Sequence, residues 1–162
     1  MDIQNRADKL AFMEVSGSEG TFKRMTGFTE LTKSLNPEIY ARRYVDEKNT
    51  RSDITSYATE FSFSKDVVLN DDVTDTIKNV FDNELIGAQA QINIVVVDLS
   101  EEADTVGSFK AKKRTYSIVP ESEGGDNALV LDGTFKACGE LVHGTATSTD
   151  EWQSCTFTET TD

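Results

Sequence analysis

Residues 57–99, YATEFSFSKDVVLNDDVTDTIKNVFDNELIGAQAQINIVVVDL, constrain the fold more than any other stretch, because their hydrophobic period changes twice. Tyr57, Thr59, Phe61 and Phe63 alternate with Ala58, Glu60, Ser62 and Ser64, the period-two pattern of a strand with one face on a core. After Val67, Val68 and Leu69, the run Asn70, Asp71, Asp72 offers N-cap oxygens and first-turn negative charge. Val73, Ile77, Val80, Phe81 and Leu85 then recur at helical spacing, which predicts one amphipathic helix of about three turns. Gly87 stands where a helix commonly ends in a left-handed residue. Behind it Ala88, Ala90, Ile92, Ile94 and Val96 alternate with Gln89, Gln91, Asn93, Val95 and Val97, so the sheet is expected to resume.

A length of 162 residues suits one domain over 1–162, with the polar residues 1–9 as a flexible arm. No apolar run approaches the roughly 20 residues that cross a bilayer, and the N-terminal MDIQNRADKLAFME lacks the apolar segment of a signal peptide. Folding in a cytoplasm with no membrane partner is the expectation. Cys138 and Cys155 match no metal spacing, and a thiol pair in neighbouring strands is the simplest reading. With 29 acidic and 16 basic residues the net charge is -13, which argues against gripping nucleic acid by neutralising phosphates. It is compatible with a surface past which DNA slides without sticking, and equally with a plainly solvated acidic exterior.

In chain order, residues 10–15 read as a short strand and 16–20 as a turn. Residues 21–35 read as a second strand carrying a bulge at Gly27. Residues 36–56, NPEIYARRYVDEKNTRSDITS, are too polar for a core and form a long early loop. Its Tyr40, Arg42, Arg43 and Tyr44 are side chains favoured where protein surfaces meet. An exposed hairpin that merely covers its own domain is the alternative. Asp98, Glu101, Glu102 and Asp104 surround an acidic turn that lacks the ligand alternation of a calcium loop. In the strand 108–119 the apolar set switches phase, from Phe109 and Ala111 to Tyr116 and Ile118. Between the two phases Lys110, Lys112, Lys113 and Arg114 form a basic patch suited to an acidic neighbour, a candidate subunit contact. Residues 120–127 read as a turn, 129–138 as a strand interrupted at Gly133, and 152–160 as a last strand. The sum is seven or eight strands and one inserted helix: a mainly β chain, built as a β-sandwich or flattened barrel.

Chemistry is absent from this pattern. No Walker loop, GxGxxG, GxSxG, HExxH or zinc spacing occurs, and the lone His143 has no partner by spacing. No catalytic, cofactor-binding or metal-binding residue is assigned, and the chain is not expected to be an enzyme.

Particular words of the sequence resemble the major tail tube proteins of tailed bacteriophages. TFKRMTGFTELTKSLNPE resembles the first tube strand of phages infecting Gram-positive hosts, and RRYVDEKNTRSDITSYATEFSFS their long loop returning into the next strand. The helix, the strand after it and LVLDGTFKACGELVHGTAT follow the same layout from about Leu10 onward. The resemblance implies a β-sandwich flanked by a helix, hexameric rings whose sheets join into an inner barrel, and rings stacked into a hollow virion tail assembled in the host cytoplasm. It implies that the loop 36–56 reaches the next ring, with Tyr40, Arg42, Arg43, Tyr44, Asp46 and Glu47 in stacking contacts. Polar alternates of strands, such as Gln89, Gln91 and Asn93 or Asp132 and Thr134, are candidates for the lumen. Implied partners are further copies of the chain, the tape measure, the tail terminator and the baseplate initiator, with DNA passing unbound. Two other functions fit the same pattern: a tube component of a contractile injection or secretion machine, and a non-catalytic β-sandwich binding module.

Overall fold

The computed structural model describes residues 1–15 and 20–160, so the turn expected at 16–20 lies outside it except for Gly20. The described chain is mainly β, with eleven strands and one α-helix. In order they are β1 (Lys9–Glu14), β2 (Thr21–Arg24), β3 (Phe28–Ser34), β4 (Pro37–Arg42), β5 (Arg51–Tyr57), β6 (Glu60–Asp66) and α1 (Asp72–Asn83). There follow β7 (Gln91–Glu102), β8 (Phe109–Gly124), β9 (Val130–Ala137), β10 (Val142–Thr147) and β11 (Ser154–Glu159). Short 3-10 turns occupy Arg6–Asp8 and Gly87–Ala90.

One sheet of nine strands, ordered β10-β11-β2-β1-β7-β8-β9-β6-β3, dominates, and β10 pairs additionally with β8. That extra ladder closes β1, β2, β11, β10, β8 and β7 into a six-stranded barrel, and the strands beyond it form an open wing. The long strand β8 belongs to both. Its first residues lie between β7 and β10, while Tyr116–Gly124 pairs with β9, β7 reaching only as far as Ser117. The switch of apolar phase in the sequence follows from this. Ala111, with Phe109 against it, fills the barrel beside Leu10, Phe12, Phe22, Val95, Val97 and Cys155, whereas Tyr116 and Ile118 face a second core. Strand β7 is apolar on both faces for the same reason: Ile94 serves one core and Val95 the other.

The second core lies between the wing and α1. Phe61 and Phe63 of β6 and Leu131 and Phe135 of β9 meet Val73, Ile77 and Val80 of the helix. Phe63 stacks on Phe135 at 4.3 Å between ring centroids. Gly133 makes this possible, since a Cβ there would come within 2.5 Å of the Val119 carbonyl and 3.0 Å of the Phe63 ring. The helix begins as expected: the Asp71 carboxylate accepts from the Thr74 amide at 3.2 Å and from its hydroxyl at 2.7 Å.

Several local expectations are corrected. The irregularity expected at Gly27 falls just after it, as a register shift between Phe28 and Glu30 in β3, and Gly27 itself lies between two strands instead of within one. Its φ of 78° turns the chain between β2, which pairs with β1 and β11, and β3, which pairs with β6 across the molecule. The helix ends at Glu84, itself left-handed at φ 48°, and Gly87 opens a 3-10 turn that delays the next strand to Gln91. Strand β8 runs through Pro120 to Gly124, replacing most of the expected turn at 120–127, because a bulge between Pro120 and Ser122 tolerates the missing amide donor. The cysteines do not sit together: Cys155 is buried in the barrel, where desolvation pushes its thiol up to about 12, and Cys138 is exposed beyond β9. Residues 4–8 are anchored, Gln4 donating to Asp98 and Arg6 to the Leu31 carbonyl.

Candidate interaction surfaces

The long loop expected at 36–56 is a hairpin, the two-stranded sheet of β4 and β5, with residues 43–50 at its tip. None of its strand residues is buried. Alternation gives it two unlike faces. On one, Arg42 donates to the Tyr44 hydroxyl at 2.8 Å, pairs with Asp53, and lies 5.1 Å and 5.5 Å from the ring centres of Tyr40 and Tyr44. Arg51 pairs with Glu47 at 2.9 Å and sits 5.7 Å from the Tyr44 ring. Hydrogen bonds to Tyr44 and then to Asp53 hold the Arg42 guanidinium above its usual range. Of the six positions expected to make contacts, Tyr40, Arg42, Tyr44 and Glu47 therefore already engage each other or Arg51, and Arg43 and Asp46 project from the tip.

The opposite face of the hairpin is bare. Pro37 pairs with Tyr57 and Ile39 with Ile54, beside Ala41, and Ile39, Ile54 and Tyr57 are exposed at 59%, 56% and 56%. Sequence reasoning passed over these residues because it weighted large hydrogen-bonding side chains. The signal was the alternation of Ile39 and Ala41 with Tyr40 and Arg42. An apolar stripe this open on a two-stranded sheet is the usual mark of a protein contact.

The second surface is the side of the wing away from α1. Register places Glu30 and Thr32 of β3, Ser62 and Ser64 of β6, Asp132 and Thr134 of β9, Thr115 and Ser117 of β8, and Gln91 and Asn93 of β7 on it together. Four of the five candidate lumen residues thus share one polar face, and the fifth, Gln89, lies in the 3-10 turn before β7. The face is internally braced: Thr115 donates to Asn93 at 2.6 Å and Thr134 to Glu121 at 2.9 Å, which leaves Thr134 only 6% exposed. Charge on it is mostly negative, from Glu30, Glu60, Glu121 and Asp132 against Lys136. Its lateral edges are open. Among the described residues β3 is the last strand of the sheet, and β1 pairs with β7 only from Ile94 onward, which leaves the ladder positions at 91–93 unpaired on that side.

The third surface is a cleft of about 1260 Å³ between β3 and the outer barrel wall. Arg6, Lys9, Lys33, Lys110, Lys112 and Arg114 line it, together with Asp98, Glu101, Glu102 and Asp104. Burial, then repulsion from Lys112, Lys9 and Arg114, pushes the Lys33 ammonium below its usual range. Of the expected basic patch, Lys110, Lys112 and Arg114 face this cleft. Lys113 points to the other face of β8, where it lies 5.4 Å from the Phe157 ring. Arg114 donates to the Gly139 carbonyl at 2.8 Å and Lys110 lies 3.7 Å from Glu101. Of the acidic turn expected from the sequence, Asp98, Glu101 and Glu102 belong to β7, where a hydrogen bond from Ser100 holds Asp98 below the usual carboxylate range. Among the described residues no group of three His, Cys, Asp or Glu converges to hold a metal, and no helix is long and apolar enough to cross a membrane.

Comparison of the sequence with protein-family models and with curated proteins gives no match. Solved structures do share the fold. A chain from the tail of an empty gene transfer agent (GTA) particle, solved by helical refinement with C6 symmetry, superposes with a TM-score of 0.60 at 14% identity. That match covers 86% of this chain and 97% of that one. A chain from the virion of a native gene transfer agent particle gives 0.60 at 12% identity, over 87% and 98%.

Proposed function

We propose that this chain is a structural protein of a phage-like tail. Copies join laterally into hexameric rings through the open edges of the wing, and the rings stack into a hollow, non-contractile tube. The observation that carries this reading is the near-complete superposition on a chain from a C6-symmetric GTA tail. The position of β3 at the end of the sheet, where apart from the Arg6 bond to the Leu31 carbonyl it has no strand partner beyond β6 among the described residues, and the open positions at 91–93 support it, because edge-to-edge addition of strands would continue the wing into a closed ring.

In this arrangement the polar face lines the lumen. Its excess of carboxylates repels a passing polyanion over roughly 10 Å at 0.1 M salt, so DNA moves without being held. The hairpin reaches the adjoining ring, docking through Ile39, Ile54 and Tyr57, while Arg42 and its tyrosines stiffen it. The tape measure, terminator and baseplate initiator are its tail partners, and assembly takes place in the host cytoplasm. The role is structural and not catalytic.

Negative-stain microscopy and native mass spectrometry of the concentrated protein test the proposal. Hexamers, rings or tubes are expected. A chain that stays monomeric at millimolar concentration and with a tail initiation complex would overturn it.

A further inference from the structure

We propose that the cleft between β3 and the barrel wall receives the acidic end of β8 and the start of the turn after it, residues 121–126, of a second copy of this chain. Six of the 16 basic residues line this one cleft in a molecule of net charge -13. Among the described residues, Lys9, Lys33 and Lys112 form no salt bridge, and the lowered pKa of Lys33 reflects burial and then repulsion from Lys112, Lys9 and Arg114. A carboxylate placed among them relieves that repulsion.

The complement is on the same strand. β8 carries Lys110, Lys112 and Arg114 near its start and Glu121 and Glu123 near its end, with Asp126 in the turn beyond. Glu121 is engaged by Thr134, which leaves the exposed Glu123 and Asp126 free to reach a partner. The turn is close-packed at Gly125, whose φ of 122° and approach to the Ala128 carbonyl, 2.1 Å from a notional Cβ, admit no side chain. From Lys112 to Gly124 the strand spans on the order of 40 Å at ~3.3 Å per residue, so a copy cannot fill its own cleft. The match is instead heterologous: one end of a copy fits the opposite end of the next, and such a contact propagates. The lining also bears on the choice of partner. A long, uniform polyanion such as duplex DNA would meet Glu101, Glu102 and Asp104 as well as the lysines, whereas a short turn with two free carboxylates can address the positive part alone.

This inference rests on the self-association proposed above only in taking a second copy as the occupant, and two measurements separate their failures. A fluorescein-labelled peptide of residues 118–131 is titrated against the full chain, and against K33E/K112E, by anisotropy. Binding is expected to weaken at least tenfold in the variant, and likewise for an E123K/D126K peptide, with recovery when reversed chain meets reversed peptide. Equal affinity across these combinations, or duplex DNA binding the same lysines as tightly as the peptide, overturns the proposal. In the second measurement the critical concentration for assembly is compared between wild type and K33E/K112E. Tubes that form at an unchanged concentration overturn the cleft contact and leave the tube reading intact. Peptide binding by a chain that never polymerises supports the cleft and counts against the tube.

Discussion

β5 and β6 are seven-residue strands separated by two residues, yet they live in different physical worlds. Every residue of β5 is exposed, whereas Phe61, Phe63 and Lys65 of β6 are buried in alternation with half-exposed neighbours. A lone two-stranded hairpin is marginal in water, because its ladder hydrogen bonds only replace bonds to solvent and little apolar area leaves water. β6 has burial to hold it; β4 and β5 have the Arg42 and Arg51 clamps. Folding energy is therefore concentrated in the barrel and wing, and the hairpin is an outlying element whose apolar face is left to solvent.

The largest expected effect tests the buried side of this contrast. Phe135→Ala removes a ring that is fully buried and stacked on Phe63, and should cost about 3–5 kcal/mol in urea unfolding. The matched change on the hairpin, Ile39→Ser with Ile54→Ser, should move monomer stability by less than about 0.5 kcal/mol, since both side chains already face solvent. It should raise the critical concentration for assembly by tenfold or more. If the hairpin pair destabilised the monomer as Phe135→Ala does, the hairpin would belong to the folded body and the contrast would collapse.

Arg42→Ala comes next in size. It removes the guanidinium from between Tyr40 and Tyr44 and leaves Asp53 without its partner. Exposed cation–π contacts are weak and act locally, so amide exchange across 37–57 should speed several-fold while exchange in β6 and β9 is unchanged. Uniform acceleration across the chain would show that hairpin and wing open as one unit.

How much was legible in the sequence divides along the same line. The helix, β6 and β7 announced themselves because burial on one or both faces imposes a period, and the phase switch in β8 was visible before its cause. β4 and β5 lacked that imprint, since residues that touch no core are free to be polar, and the segment read as a loop. At Gly27 the local sequence stays strand-like on both sides. Only the partners change, from β1 and β11 to β6, and partner identity is a long-range property. The polar residues of the wing were visible as strand alternates but not as one surface, because the registers between β7, β8 and β9 bring together residues far apart in the chain. The apolar hairpin face was missed for a different reason: its exposed apolar side chains were in plain view, and only their cross-strand pairing made them a stripe.

A pH experiment probes the barrel end. Asp150 accepts from Ser148 and Ser154, and these bonds, led by that from the Ser154 hydroxyl, lower its pKa to about 2. Its folded pKa lies below the ordinary aspartate value of 3.8, so its contribution to the turn is present above about pH 4 and is lost as pH falls through about 2. Trp152, in the same turn, packs against Phe12 and Phe109 at 6.2 Å and 5.6 Å, and as the chain's single tryptophan it reports the change. Its emission should shift red over that window, and in Asp150→Asn this acid step should vanish. A step that persists in the variant would assign it to other carboxylates.

The smallest effect reverses the sign of the first. Glu84 caps α1 with φ 48° and ψ 49°, a left-handed conformation in which its Cβ is strained, while its amide donates to the Val80 carbonyl. Glu84→Gly relieves that strain but gives the unfolded chain more freedom, and at a left-handed cap the relief outweighs the added entropy. The helix carries acidic residues in its first turn and no basic residue in its last, so removing a carboxylate from the negative end of the dipole adds in the same direction. The expected gain is about 0.5–1 kcal/mol in monomer stability, read by urea unfolding. The critical concentration for assembly should not change, because α1 lies on the side of the wing away from the polar face. Together with the Ile39 and Ile54 pair this makes a double dissociation: one variant shifts stability without assembly, the other assembly without stability. A Glu84→Gly protein that gained stability and also assembled at a lower concentration would show that tightening the body is transmitted to the contact surfaces, and the two regions could no longer be treated as independent.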